Sequence, residues 1–72
     1  MAHKIFLFRN NKRIIGSTGF MNIDGRFNRS SIRQTIIDRN KRLVKNFPNE
    51  VADAYVICDK NLKYNDNNIK TL

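Results

Sequence analysis

Four consecutive apolar residues, Ile5-Phe6-Leu7-Phe8, stand between Lys4 and Arg9 near the start of this chain. Successive side chains of a strand point to opposite faces, so an unbroken apolar run reads as a strand with both faces covered. In a chain of 72 residues that requirement is severe, because a domain of this size buries only about 60% of the surface its unfolded chain exposes. The run therefore belongs in the middle of whatever sheet forms. The rest of the chain must supply its neighbours and its cover.

The neighbours can be read in turn. Asn10, Asn11 and Lys12 follow the run, and Asn tolerates the positive φ of a tight turn, so Arg13 to Ser17 is expected to return as the second arm of a hairpin. Gly16 and Gly19 weaken the far end of that arm, and 22–28, centred on Gly25, reads as a loop or a short third arm. Ser30 or Ser31 then offers a helix N-cap. Beyond it Ile32, Ile36, Leu43 and Phe47 fall within about 60° of one another at 100° per residue, and Ile37 and Val44 widen the stripe on one side. Arg33 and Asn40 share that apolar sector, so Arg33 is expected to snorkel or to be paired. The helix should stop near Asn46, since Phe47 precedes Pro48 and is pushed out of the α region. Ala52 to Cys58, with Tyr55-Val56-Ile57 in a row, reads as another strand. From Asp59 onward the chain is polar, and 60–72 is expected as a weak edge strand, on which Leu62 and Tyr64 alternate, or as a frayed tail.

These readings make one small domain over 1–72 of the α+β class: a single-layer antiparallel sheet built from a β-hairpin, a helix and a further strand, with the one helix packed on one face. A right-handed crossover allows the last strand to lie parallel to strand two or antiparallel to strand one. The second arrangement is preferred, because it puts the doubly apolar strand in the centre.

The usual staples of so short a fold are missing. There is one cysteine, Cys58, and one histidine, His3, so no disulfide, metal centre or other cofactor is expected, and self-association as a homodimer stays open. Cys58 reads as a small buried hydrophobe, which argues for a reducing compartment. The first residues are too short for a signal h-region and no stretch approaches a membrane span, so a cytoplasmic protein without a membrane partner is expected. Eleven Asn and nine Ile are a bias associated with A/T-rich bacterial or phage genomes.

Charge is the strongest functional signal. Residues 1–48 carry eleven Lys and Arg against two Asp, while residues 49–72 carry three Lys against four acids. Repulsion among so many like charges opposes compaction unless a polyanion or counterions relieve it. The densest part holds Arg26, Arg29, Arg33, Arg39, Lys41, Arg42 and Lys45 against Asp38 alone. Within it, Gly25-Arg26-Phe27-Asn28-Arg29-Ser30-Ser31 places two guanidinium groups and an aromatic ahead of a helix N-terminus, where backbone amides and the helix dipole already favour a phosphate. If exposed, Phe27 offers a stacking surface to an unpaired base. Arg39, Lys41, Arg42 and Lys45 are expected on or beside the outer face of the helix, along a nucleic-acid backbone. An Asp38–Arg42 pair one turn apart would be worth only a few tenths of a kcal/mol.

Other constellations carry less. Gly16-Ser17-Thr18-Gly19 has the GXXG spacing with which KH domains clamp a nucleic-acid backbone, but a KH fold needs a strand and a helix ahead of that loop, and the residues before Gly16 read as a hairpin. No Lys follows the second glycine, as a P-loop requires. The six acids are scattered over different elements, and His3 has no nucleophile at a recognisable spacing, so no catalytic or metal-binding residue is expected and the chain is not read as an enzyme.

The expected function is thus a small basic nucleic-acid-binding protein, for DNA or RNA, contacting phosphates through Arg26, Phe27, Arg29, Ser30, Ser31, Arg39, Lys41, Arg42 and Lys45. The alternative is a protein-interaction module, such as a phage or mobile-element inhibitor or adaptor, whose basic face meets an acidic partner protein or a ribonucleoprotein. In that case Ile5 to Phe8 could also pair across a homodimer.

Overall fold

A computed structural model describes residues 3–16, 18–23 and 28–72. Strand β1 (His3–Arg9) turns at Asn10 and Asn11 into β2 (Lys12–Arg13). Both turn residues are left-handed, at φ 53° and 66°, which makes the two-residue type I′ turn whose twist matches a hairpin. Strand β3 (Phe20–Ile23) follows, then helix α1 (Arg29–Leu43), a 3-10 turn (Pro48–Glu50), strand β4 (Ala54–Ile57), a second 3-10 turn (Asp66–Asn68) and strand β5 (Lys70–Thr71).

The sheet is antiparallel and open. β1 is its spine: β4 runs along one side, and β2 and β3 share the other, with β5 at the far edge beyond β4. The helix covers one face. Ile5, Leu7 and Tyr55 from the sheet meet Ile32 and Ile36 from α1 and Ala52 from the connection, and together they form the core. On the opposite face Phe8, Val56 and Cys58 are also buried, and Tyr64 packs edge-on against Phe6 at 5.7 Å and Phe8 at 6.0 Å. The double-sided apolar strand is therefore central and covered on both sides. The fold is the small α+β layer expected from the sequence.

Four details differ from the sequence reading. The second hairpin arm stops after Arg13, because the chain leaves the sheet in a loop and rejoins β1 only at Phe20. Gly16 carries φ 95°, and a Cβ at Gly19 would collide with the Ile14 carbonyl, so both glycines serve this excursion. The helix is capped by Asn28, whose side chain accepts from the Ser30 N–H at 2.8 Å. Ser30 and Ser31 consequently fall inside the first turn. The apolar stripe fades after Ile36: Arg39 is buried in its place, Val44 is 52% and Phe47 56% exposed, and Arg33 is exposed instead of tucked against the sheet.

The fourth difference concerns the C-terminal segment. The edge strand, one of the two expected outcomes, forms, but at Lys70–Thr71 with Leu72 packed on the core, whereas Leu62 lies in a left-handed turn. Ile5 to Phe8, moreover, has neighbours on both sides. Its ladder is full, so it cannot pair across a homodimer.

Candidate nucleic-acid interface

Helix α1 sorts its cations by direction. Ile32, Ile36 and Arg39 face the protein, and Lys41, Arg42 and Lys45 are exposed on the side turned away from it. Two of these, Lys41 and Arg42, occupy the last helical turn, where a cation complements the negative end of the helix dipole by about 0.3–1 kcal/mol. Asp38, on the same helix, does not neutralise them. Its carboxylate accepts from Gln34 Nε2 at 3.0 Å. None of Arg29, Arg33, Lys41, Arg42 and Lys45 is held in an ion pair among the described residues.

Arg29, Ser30 and Ser31 are also exposed, but they sit at the other end of the helix. Twelve positions separate Arg29 from Lys41, about 18 Å at 1.5 Å per residue. The expected continuous surface is therefore two groups, one at each end of α1. Arg26 and Phe27 lie outside the described residues.

Arg39 must be removed from the expected contact set. It is only 8% exposed, and its guanidinium donates to the Thr18 carbonyl at 2.6 Å, the Glu50 carbonyl at 2.9 Å and Asn40 Oδ1 at 2.9 Å. Burial lowers its pKa from the ordinary value, with the charge of Glu50 opposing. Its donors are committed to three separate segments. Asn40 beside it is a clamp as well: Nδ2 donates to the Ala52 carbonyl at 2.8 Å, and Oδ1 accepts from the Ala52 N–H at 3.0 Å. That two-way bond imitates a strand neighbour and fixes the chain as it enters β4. Arg9 is committed similarly, donating to the Val51 carbonyl at 3.1 Å.

One group was not anticipated from the sequence. On the sheet face opposite the helix, the Arg13 guanidinium lies 4.7 Å from the Phe6 ring centroid and Lys4 Nζ lies 4.5 Å from that of Phe20. Both rings are half-buried. The signal was the period-two alternation Lys4, Phe6, Phe8 along β1, hidden because the same strand is apolar at every inner position. A cation stacked on a ring is attracted to the ring's quadrupole and still offers its outer surface. A flat guanidinium of this kind is one of the planes on which an unstacked base can rest.

Among the described residues, no three His, Cys, Asp or Glu side chains are placed to hold a metal ion, and no helix is long and apolar enough to cross a membrane. Compared with known proteins, the chain matches no family model, no curated protein and no solved structure.

Proposed function

We propose that this chain is a small, basic, cytoplasmic nucleic-acid-binding protein that acts mainly by neutralising backbone phosphates. Lys41, Arg42 and Lys45 form the principal contact, Arg29 with Ser30 and Ser31 a second one at the opposite end of α1, and the Arg13–Phe6 and Lys4–Phe20 stacks are available to unpaired bases. The observation that supports this reading is the absence of any ion pair on the helix cations among the described residues, although acids are present elsewhere in the chain. Unpaired surface cations keep their full charge for a polyanion and release its counterions on contact.

Electrophoretic shifts with duplex DNA, single-stranded DNA and RNA side by side at physiological salt test the proposal. Changing Lys41, Arg42 and Lys45 together to Gln should lower the slope of log K against log salt by about 2.7 on duplex, at about 0.9 per phosphate contact. Lys45→Ala or Arg29→Ala alone should lower it by roughly one, and equally across sequences. An affinity indifferent to salt would overturn the reading.

A second reading rests on a different observation. Val44 and Phe47, both more than half exposed, lie beside Lys45 at the end of the helix, and Ile15 is 86% exposed. Apolar side chains next to unpaired cations suit an acidic protein partner. Purified protein free of nucleic acid, and silent in the shift assay, would favour it.

A further inference from the structure

We infer that the N-terminal end of α1 and the edge of the sheet form a pocket for a single phosphate monoester, and that its ligand is the terminal phosphate of a nucleic-acid strand. The strand-end assignment rests on the nucleic-acid reading above; the phosphate chemistry does not. A cavity of about 210 Å³ is lined by Arg29, Tyr55, Ile57, Asn68 and Lys70. Two of the five are cations and none is acidic. Arg29 is the first residue of the helix and its first turn contains no acid, so a positive side chain sits at the positive end of the helix dipole, where a cation is disfavoured. Lys70 adds a second charge from β5, directly across the ladder from Tyr55. An anion between them relieves both repulsions.

Tyr55 supplies an independent indication. Its side chain is 5% exposed, it lines the cavity, and its hydroxyl, which makes no hydrogen bond among the described residues, is the end of the ring that opens to solvent. A Tyr hydroxyl at the wet end of a buried ring ordinarily finds a hydrogen-bond partner. Here the cavity is where one can be supplied, and a phosphate oxygen accepts that bond. The amide of Asn68 lines the same space and can donate to another oxygen.

Size and charge narrow the ligand. Pockets that enclose a whole nucleotide-sized molecule measure about 300–1,000 Å³, so this one takes the phosphoryl group and leaves sugar and base outside. Two cations without a carboxylate match the charge of about −1.5 to −2 on a monoester better than the single charge of a backbone diester. The lining comes from β4, β5, a 3-10 turn and a helix end, so the backbone that carries these groups is set by the fold.

The test uses one single-stranded oligonucleotide in three forms, bearing a 5′-phosphate, a 3′-phosphate or hydroxyls at both ends, with affinity read by fluorescence anisotropy. One phosphorylated form should bind the parent protein about tenfold more tightly than the hydroxyl-ended form. That ratio should fall to near one in Lys70→Gln and drop measurably in Tyr55→Phe, which keeps the ring. Equal affinities for all three forms in the parent protein would overturn the inference. A parallel titration with inorganic phosphate follows the amide resonances of Arg29, Tyr55 and Lys70. If no oligonucleotide binds but inorganic phosphate shifts these resonances in the parent and not in Lys70→Gln, the pocket stands as a phosphate site and the nucleic-acid reading falls. If neither ligand registers, both fall.

Discussion

Asn40→Ala should be among the most damaging single changes on α1, although the residue is polar and only half-buried. The substitution removes both hydrogen bonds to Ala52 and one acceptor of Arg39. Ala52 is 3% exposed, so its N–H and carbonyl have little access to replacement water. An unsatisfied buried polar group costs about 1–3 kcal/mol, which puts two of them at roughly 2–4 kcal/mol after partial relaxation. A chain of this length has a total stability of about 4–11 kcal/mol, so the loss is a large fraction of the whole. In thermal unfolding the midpoint should fall by about 10–25 °C, at roughly 4–8 °C per kcal/mol for so small a domain. In urea it should fall by about 2–4 M at a slope near 1 kcal/mol/M, the low end of the range for small proteins, and by less where the slope is larger. Gln34→Ala is the matched control, because it removes an exposed hydrogen bond to Asp38 on the same helix and should cost no more than about 0.5 kcal/mol. An Asn40→Ala midpoint indistinguishable from that control would refute the clamp.

Two further expectations follow from the same geometry. Arg39→Met should destabilise by about 2–3 kcal/mol, because it strips donors from the Thr18 and Glu50 carbonyls, yet leave the salt slope of binding unchanged; a slope reduced by about one would return Arg39 to the contact surface. The Cys58 thiol is pushed above its ordinary pKa, chiefly by burial and then by the charge of Asp59. The folded state therefore holds that proton more tightly than the unfolded chain. The resulting stability is full below about pH 8.5, the ordinary thiol range, and is lost as pH rises through the folded value. Urea unfolding at pH 7 and pH 10 should show a steeper alkaline loss for the parent than for Cys58→Ala, and identical profiles would contradict it.

The parts of the fold that were legible in the sequence are those set by a single local cause. Ile5 to Phe8 is apolar on both faces, and only a central strand satisfies that. Asn10 and Asn11 are two of the few residues that accept positive φ, and they do so. The helix cap was not decidable in this way. Asn28, Ser30 and Ser31 all carry a side-chain oxygen that can accept from a first-turn N–H, and which of them does so depends on where β3 delivers the chain. Arg39 and Asn40 were hidden for a stronger reason. Their partners are backbone carbonyls of Thr18, Glu50 and Ala52 and one backbone N–H, and every residue type carries those groups. Periodicity marked Asn40 as facing inward, but nothing local says which segment crosses there. Tyr64 was missed because it stands in a polar stretch, and its cover of Phe6 and Phe8 exists only once β1 and β4 are paired.

The way this chain uses its arginines also separates two quantities that a charge count merges. Arg9 and Arg39 are bound to carbonyl oxygens, which engages some of their donors without cancelling their charge. Each still contributes to the field around the protein, which attracts a polyanion from beyond contact distance and falls off over about 8–10 Å at physiological salt. Arg39, buried and bonded to three acceptors, cannot touch a phosphate without giving up its structural bonds, whereas Arg9 spends one of its five N–H donors on Val51. Under the proposed nucleic-acid function, the encounter rate therefore follows the net charge of +8, while the number of counterions released on binding follows only the cations left exposed, such as Lys41, Arg42 and Lys45. Counting basic residues overstates the contact surface of this protein and describes its long-range attraction correctly. The basic stretch from Arg29 to Lys45 thus combines a structural tie at Arg39 with separate groups of exposed cations at the two ends of one helix.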